Sequence, residues 1–295
     1  MTRNTPQNLP LYGACVFFAI MALSVKVLTH TLPAIEVTFY RSFLCLLVML
    51  PFAASDLTTY KFHRGLWGPL LLRSLAGGLA MIAYFQAISR LPLATAVLLN
   101  YTSPLWAALF AWVALGEALS AGVVLAYPLA LTGVLLVVGG PGSTSDFGAI
   151  LLGLGSAVMA GAAYTALRGL RGTPASLVVC GLCLVTSLLT APHALASYQA
   201  PTQGEWAGLW VCAVSSALAQ YLLTLGFRSC KAASASTVGL ATVAISGLLS
   251  AAVLGEHLGL RQWTGIAVLL WATSQIGKRS LLARTFRGWR VALLR

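Results

Sequence analysis

Charge is what this chain has least of. Of its 295 residues only 8% are Asp, Glu, Lys or Arg, against 59% that are hydrophobic. A soluble globular domain carries about 25% charged residues. A water-soluble fold of this length could not cover its surface with so few charges, so lipid must take the place of water over most of it. Acidic residues are the scarcest: six Asp and Glu stand against 18 Lys and Arg, for a formal charge of +12. The six are Glu36, Asp56, Glu117, Asp146, Glu205 and Glu256, and none falls in the middle of an apolar run. Proton or sodium coupling usually uses an intramembrane carboxylate. Glu36 alone lies partway into a run, which leaves facilitation, exchange and coupling through Glu36 all open.

Hydrolytic signatures are missing as well. There is no HExxH and no GxSxG, and the four histidines (His30, His63, His193, His257) are scattered at the ends of apolar runs, which argues against a membrane-embedded enzyme. Six cysteines are present. Cys180 and Cys183 form a CxxC, but it sits inside the apolar run Leu177–Leu189 with no second pair and no nearby His. These cysteines read as small buried hydrophobes, and no metal or cofactor is expected. The basic excess would suggest nucleic acid in a soluble domain. Here it lies between apolar runs and in the C-terminal tail, so the expected partners are membrane lipid and a small-molecule substrate, not nucleic acid.

What the chain does have is long apolar runs. A spanning helix needs roughly 20 mostly apolar residues. Ten candidates follow: 10–29, 34–54, 67–88, 93–113, 122–140, 147–168, 174–196, 206–227, 233–254 and 263–281. The breaks hold turn formers such as Leu32-Pro33, Leu91-Pro92, Gly140-Pro141-Gly142 and Gly172-Thr173-Pro174. The first run is too long for a signal-peptide core and reads as a span. With the N-terminus in the cytoplasm, the cytoplasmic segments hold 13 of the basic residues and the outer segments hold only Arg90 and Arg261. Lys26, Arg41 and Arg73 fall within spans. This asymmetry predicts a multi-pass protein of the bacterial inner membrane with both termini cytoplasmic. Residues 282–295 form a basic cytoplasmic tail suited to an anionic leaflet.

The two halves resemble each other. Leu115-Gly116-Glu117-Ala118-Leu119 follows the fourth span, and Leu254-Gly255-Glu256-His257-Leu258 follows the ninth, 139 residues later. Five spans separate the motifs, so the halves are expected to be inverted across the membrane, a recurring plan of secondary transporters. The alternative is a duplication kept only for packing. The segments Arg73-Ser74-Leu75-Ala76-Gly77-Gly78, Tyr84-Phe85-Gln86-Ala87-Ile88, Leu91-Pro92-Leu93-Ala94-Thr95-Ala96, Pro104-Leu105 and Leu115-Gly116-Glu117 resemble an EamA domain of the drug/metabolite transporter superfamily. The resemblance implies two tandem units, at 10–140 and 147–281. It implies an all-α integral membrane fold of ten transmembrane helices, arranged as two inverted five-helix repeats around a central cavity. The second unit departs from the first: Val243 stands where Pro104 predicts proline, and Gly239 stands opposite Asn100.

Charged residues within a span are costly and by default suggest function. Arg41 lies about seven residues into the second span, roughly 10 Å deep, and is the expected anchor for a substrate carboxylate. A structural pair with Glu36 or a carbonyl is the alternative. Arg73 lies at similar depth from the other side, and Lys26 sits near a span end where it could snorkel. Tyr84, Asn100, Tyr101, Trp106, Tyr164, Gln220 and Tyr221 complete the expected substrate-binding set. Each could equally serve helix-to-helix hydrogen bonding. Pro104 and Pro128 would kink their spans, and Gly153, Ala157 and Gly161 form a small-residue face. The expected function is a secondary transporter, an exporter of an amino acid or amino-acid-derived compound. A membrane-embedded enzyme, a small channel or a structural membrane subunit is the alternative.

Overall fold

The computed structural model describes residues 9–115, 128–129, 132–133, 136, 146–196, 198–229, 242–256 and 259–274. These residues form helices α1 (Leu9–Leu28), α2 (Ala34–Thr59), α3 (Trp67–Arg90), α4 (Leu93–Asn100), α5 (Ser103–Leu115), α6 (Phe147–Leu167), α7 (Ala175–Ala196), α8 (Gln203–Ser229), α9 (Thr242–Leu254) and α10 (Leu260–Ser274). Most of the fifth expected span, the LGExL motif at Glu117, the start of the ninth span and the tail 282–295 lie outside the described residues.

Seven segments are long and apolar enough to cross a membrane: Pro10–Leu28, Ala34–Thr59, Arg64–Arg90, Leu93–Ala114, Phe147–Leu170, Ala175–Ala196 and Gln203–Gly226. Together with the helical order, they make this an all-helical, multi-pass membrane protein. No strand occurs among the described residues.

The distribution of polarity is that of a bundle bathed in lipid. Leu47, Leu50, Phe52, Leu71, Leu72, Leu79, Leu188, Trp210 and Val211 point outward. The interior encloses Arg41, Arg73, Ser42, Ser74, Ser156, Thr186, Thr190, Ser216 and Gln220. Hydrophobic burial cannot hold helices together where the solvent is itself apolar, so close packing and interior hydrogen bonds must do it.

Small residues make that packing possible. Gly13 and Gly226 receive Leu222 and Leu11 where α1 meets α8, and Gly208 receives Leu28. On α6, Gly153 receives Leu99 and Gly161 lies against the backbone of Trp106 and Ala107. The expected small-residue face of α6 is thus the face that packs on α4 and α5.

The helix pairing has a regular plan. α1 packs along α8 as α6 packs along α3, and α2 packs along α7. α2 also touches α8 as α7 touches α3, and α2 touches α3 as α7 touches α8. α2 and α7 each begin directly after a proline, Pro33 and Pro174, and each carries another 18 residues later, Pro51 and Pro192.

Several ends differ from the sequence expectation. α2 continues past 54 to Thr59, held by Tyr60 N–H on the Asp56 carbonyl. α8 starts at Gln203, not 206, because Thr202 and Glu205 form a reciprocal cap: Thr202 N donates to Glu205 Oε2 at 2.7 Å, and Glu205 N donates to Thr202 Oγ1 at 3.4 Å. The fourth span is broken into α4 and α5 at Tyr101–Thr102. Pro104 has no N–H to continue the ladder there.

Candidate functional site

The break between α4 and α5 opens on a cavity at the centre of the bundle. Its wall is built on a stripe of α3, Arg73, Gly77, Ala80, Met81 and Tyr84, which recur at helical spacing on one face. Phe18 and Met21 of α1, Asn100 and Tyr101 at the end of α4, Ala160 and Tyr164 of α6, and Gln220 of α8 complete it. The cavity volume is about 50 Å³.

Among the described residues, Arg73 is the only charged one in this wall. Its guanidinium Nη2 donates to Gln220 Oε1 at 2.8 Å, and its Nε has no acceptor. Gly77, one turn along α3, gives the guanidinium room: a Cβ there would stand 2.7 Å from Arg73 Nη1. Tyr164 lies beside both Arg73 and Ser103. Asn100 Nδ2 donates to Ser156 Oγ at 2.8 Å, and the Ser156 hydroxyl donates to the Gly153 carbonyl at 2.6 Å. One cation, two amides and three tyrosines therefore face a small apolar chamber, a set able to hold an anionic group and a neutral polar body.

Six of the ten residues expected from sequence meet here: Arg73, Tyr84, Asn100, Tyr101, Tyr164 and Gln220. The other four are elsewhere. Arg41 is wholly buried between α2 and α8, where Nη1 donates to Ser42 Oγ at 3.4 Å and Nη2 donates to Ser216 Oγ. Lys26 Nζ donates to the carbonyls of Ile88 at 3.1 Å and Leu91 at 2.8 Å, at the C-terminal end of α3. Trp106 packs its backbone on Gly161, and Tyr221 packs against the cluster of Cys45, Met49 and Val179. Phe18, Met21, Gly77, Ala80, Met81 and Ala160 were not expected. The α3 members were findable by extending the helical stripe from Arg73 to Tyr84. The α1 pair offers no polar signal.

A carboxylate ties the turn after α9 to the start of α4. Glu256, in the turn after α9, accepts from the Leu93 N–H at 2.9 Å and from the Ser250 hydroxyl. The N–H is the first of α4, so the turn is fixed to the positive end of that helix. Gly255 makes the turn, with φ +64°, a conformation that favours glycine. Nearby, Arg90 and Asp146 form an exposed ion pair at 3.4 Å. Among the described residues no group of His, Cys, Asp and Glu side chains is arranged to hold a metal.

The profile of the EamA-like transporter family matches residues 8–139 and again residues 147–276. An uncharacterized transporter of Helicobacter pylori (strain J99) is 28% identical over 277 residues, covering 90% of this chain and 92% of that protein. The pseudopaline exporter CntI of Pseudomonas aeruginosa (strain UCBPP-PA14) is 33% identical over 214 residues, covering 71% of this chain and 74% of the exporter. Human solute carrier family 35 member G1 is 29% identical over 163 residues, 51% of this chain and 44% of that protein. A crystal structure with 21% identity superposes with a TM-score of 0.69, over 95% of this chain and 98% of its own, and shares the fold. The family and these relatives are transporters, not enzymes. Two family matches that together span nearly the whole chain, on an all-helical multi-pass bundle, place it: the chain belongs to the EamA-like transporter family.

Proposed function

We propose that the chain is a secondary exporter of a small carboxylate-bearing or zwitterionic metabolite, an amino acid or amino-acid-derived compound, in the bacterial inner membrane. Arg73, in place of Arg41, is the proposed anchor. The observation behind this is that, among the described residues, Arg73 is the one charge in the cavity wall and its one hydrogen-bond acceptor is the neutral amide of Gln220. Low dielectric strengthens the field of such a group, and the substrate carboxylate supplies the counter-charge. The body of the substrate would lie among Tyr84, Asn100, Tyr101 and Tyr164. The named activity of the Pseudomonas relative supports the outward direction.

Movement is by alternating access between two inverted five-helix repeats, ten spans in all, with both termini cytoplasmic. The mirrored pairing of α1 with α8 and of α6 with α3, about the α2–α7 pair, supports the inverted plan. So does the double family match. A chamber of about 50 Å³ holds a water or two. Pockets for small molecules enclose roughly 300–1,000 Å³. A metabolite is larger than that, so binding requires the chamber to widen.

The test begins with metabolite profiling of spent medium from cells with and without the gene. A compound enriched outside only in expressing cells is then offered in counterflow to proteoliposomes. Exchange of a carboxylate-bearing compound that Arg73→Gln abolishes, at equal protein level, supports the reading. Exchange of a purely cationic or uncharged compound, indifferent to Arg73→Gln, refutes the anchor.

A further inference from the structure

Arg41 is wholly buried, and none of the described carboxylates forms an ion pair with it. Its guanidinium donates to the hydroxyls of Ser42 and Ser216, and its Nε has no acceptor. Hydroxyl dipoles do not balance a full charge in apolar surroundings. The neighbours able to become anionic are thiols: Cys45, Cys183 and Cys212 all lie within the reach of its field.

Two of these thiols face each other across the α2–α7 contact. The Cys183 thiol donates to Cys45 Sγ at 3.1 Å, and both residues are wholly buried. Bonded sulfurs lie about 2.0 Å apart, so covalent closure asks for a movement of about 1 Å. Cys45 Sγ accepts that hydrogen bond and lies near the Arg41 guanidinium, the kind of surroundings in which cysteines react. The CxxC that the sequence displays on α7 thus has its reactive partner on another helix.

We propose that Cys45 and Cys183 are an oxidisable thiol pair, primed by Arg41, that closes to a disulfide joining α2 to α7. The oxidant is a small neutral peroxide, and hydrogen peroxide is the simplest that could reach so enclosed a site. The Cys45 thiolate attacks one peroxide oxygen; an S–O bond forms, the O–O bond breaks, and hydroxide leaves. The Cys183 sulfur then attacks the Cys45 sulfenic sulfur; the S–S bond forms, the S–O bond breaks, and water leaves with the Cys183 proton. The hydroxide takes the proton that Cys45 had released. In sum, two thiols and one peroxide give one disulfide and two waters, with two electrons passing from sulfur to oxygen. Closure ties together the two helices at the centre of the pairing plan. Cys180, one turn from Cys183 and partly exposed, is the competing partner.

The test uses the full-length chain in lipid nanodiscs, titrated with hydrogen peroxide, then denatured, alkylated with N-ethylmaleimide and digested without reduction. Mass spectrometry is expected to find a linked Cys45–Cys183 peptide pair, lighter by two hydrogens and reversed by dithiothreitol. In Cys183→Ser, Cys45 is expected to stop at the sulfenic acid and take up dimedone. Arg41→Gln should slow linkage at least about tenfold, and Arg41→Lys, which keeps the charge, should slow it less. If Arg41→Gln does not reach the membrane, the wild-type map and the dimedone adduct decide. Three results overturn the proposal: Cys45 linked to Cys180 instead, both thiols recovered alkylated at a dose that oxidises the half-buried Met159, or linkage in Arg41→Gln as fast as in wild type.

Discussion

Replacing Gly161 by alanine gives a sharp test of how α5 and α6 are held. A Cβ at Gly161 would stand 2.6 Å from Trp106 Cβ, 2.8 Å from Ala107 N and 3.0 Å from Trp106 C. Comfortable carbon contacts lie at about 3.5–4.0 Å, and two of the three atoms met are backbone. No rotamer change relieves that overlap, so the helices must separate. Such overpacking costs about 1–3 kcal/mol. Alanine also gains up to about 1 kcal/mol over glycine in helix propensity, which would blur a comparison with wild type. Gly155, on the same helix, supplies the control, since a Cβ there meets nothing within 4 Å. The propensity gain is common to Gly155→Ala and Gly161→Ala, so their difference isolates the packing term. Thermal unfolding in mild detergent, followed by tryptophan fluorescence, should place Gly161→Ala roughly 2–10 °C below Gly155→Ala. Equal midpoints would show that α5 does not rest on α6 as described.

Four further outcomes are expected. Arg73→Gln should weaken binding of the exported compound about tenfold or more, the loss of one charge-assisted bond of roughly 1.5–3 kcal/mol, with Arg73→Lys a partial rescue; competition in counterflow measures it. Gly77→Ala places a Cβ 2.7 Å from Arg73 Nη1 and from Leu182 Cδ1, so it should weaken the same binding while Arg73 itself is intact, and unchanged affinity would count against the position assigned to the guanidinium. Glu256→Gln replaces a charged acceptor of the Leu93 N–H by a neutral one, and hydrogen exchange at the start of α4 should quicken by about tenfold; no change would mean that the carboxylate is dispensable. Reporter fusions at Arg295 should report cytoplasm, as the 13-to-two distribution of basic residues requires.

Helix beginnings were legible because proline marks them. α2 starts after Pro33, α4 after Pro92 and α7 within a residue of the expected 174, since a fixed φ and a missing N–H suit a first turn. Ends were less so. Asp56 and the threonines after it look like a loop by hydropathy, yet the Ser176 hydroxyl donates to the Asp56 carboxylate and the helix runs on to Thr59. The start of α8 was written in the sequence as Thr202-x-x-Glu205, a capping signature that hydropathy alone passes over.

For the site, sequence fixes depth along a helix but not the direction a side chain takes around it. Arg41 and Arg73 lie at comparable depths, and only the packing of α2 on α8 and of α3 on α6 turns one toward Ser216 and the other into the chamber. Lys26 illustrates the same limit. Its partners are main-chain carbonyls of another helix, which leave no trace in side-chain identity.

Lys26 and Glu256 meet the two sides of one turn. The lysine sits on carbonyls where α3 ends, and the glutamate on the amide where α4 begins. An ordinary salt bridge can be written in either order, because each charge answers only to the other. These two answer to the polarity of the main chain, negative where a helix ends and positive where one begins. The pair therefore has a handed electrical sense that cannot be interchanged. Glutamate at 26 with lysine at 256 would keep the net charge and the attraction between the partners, yet set an anion against carbonyls and a cation against an amide proton. Each single reversal should do harm, and the double reversal should not repair it.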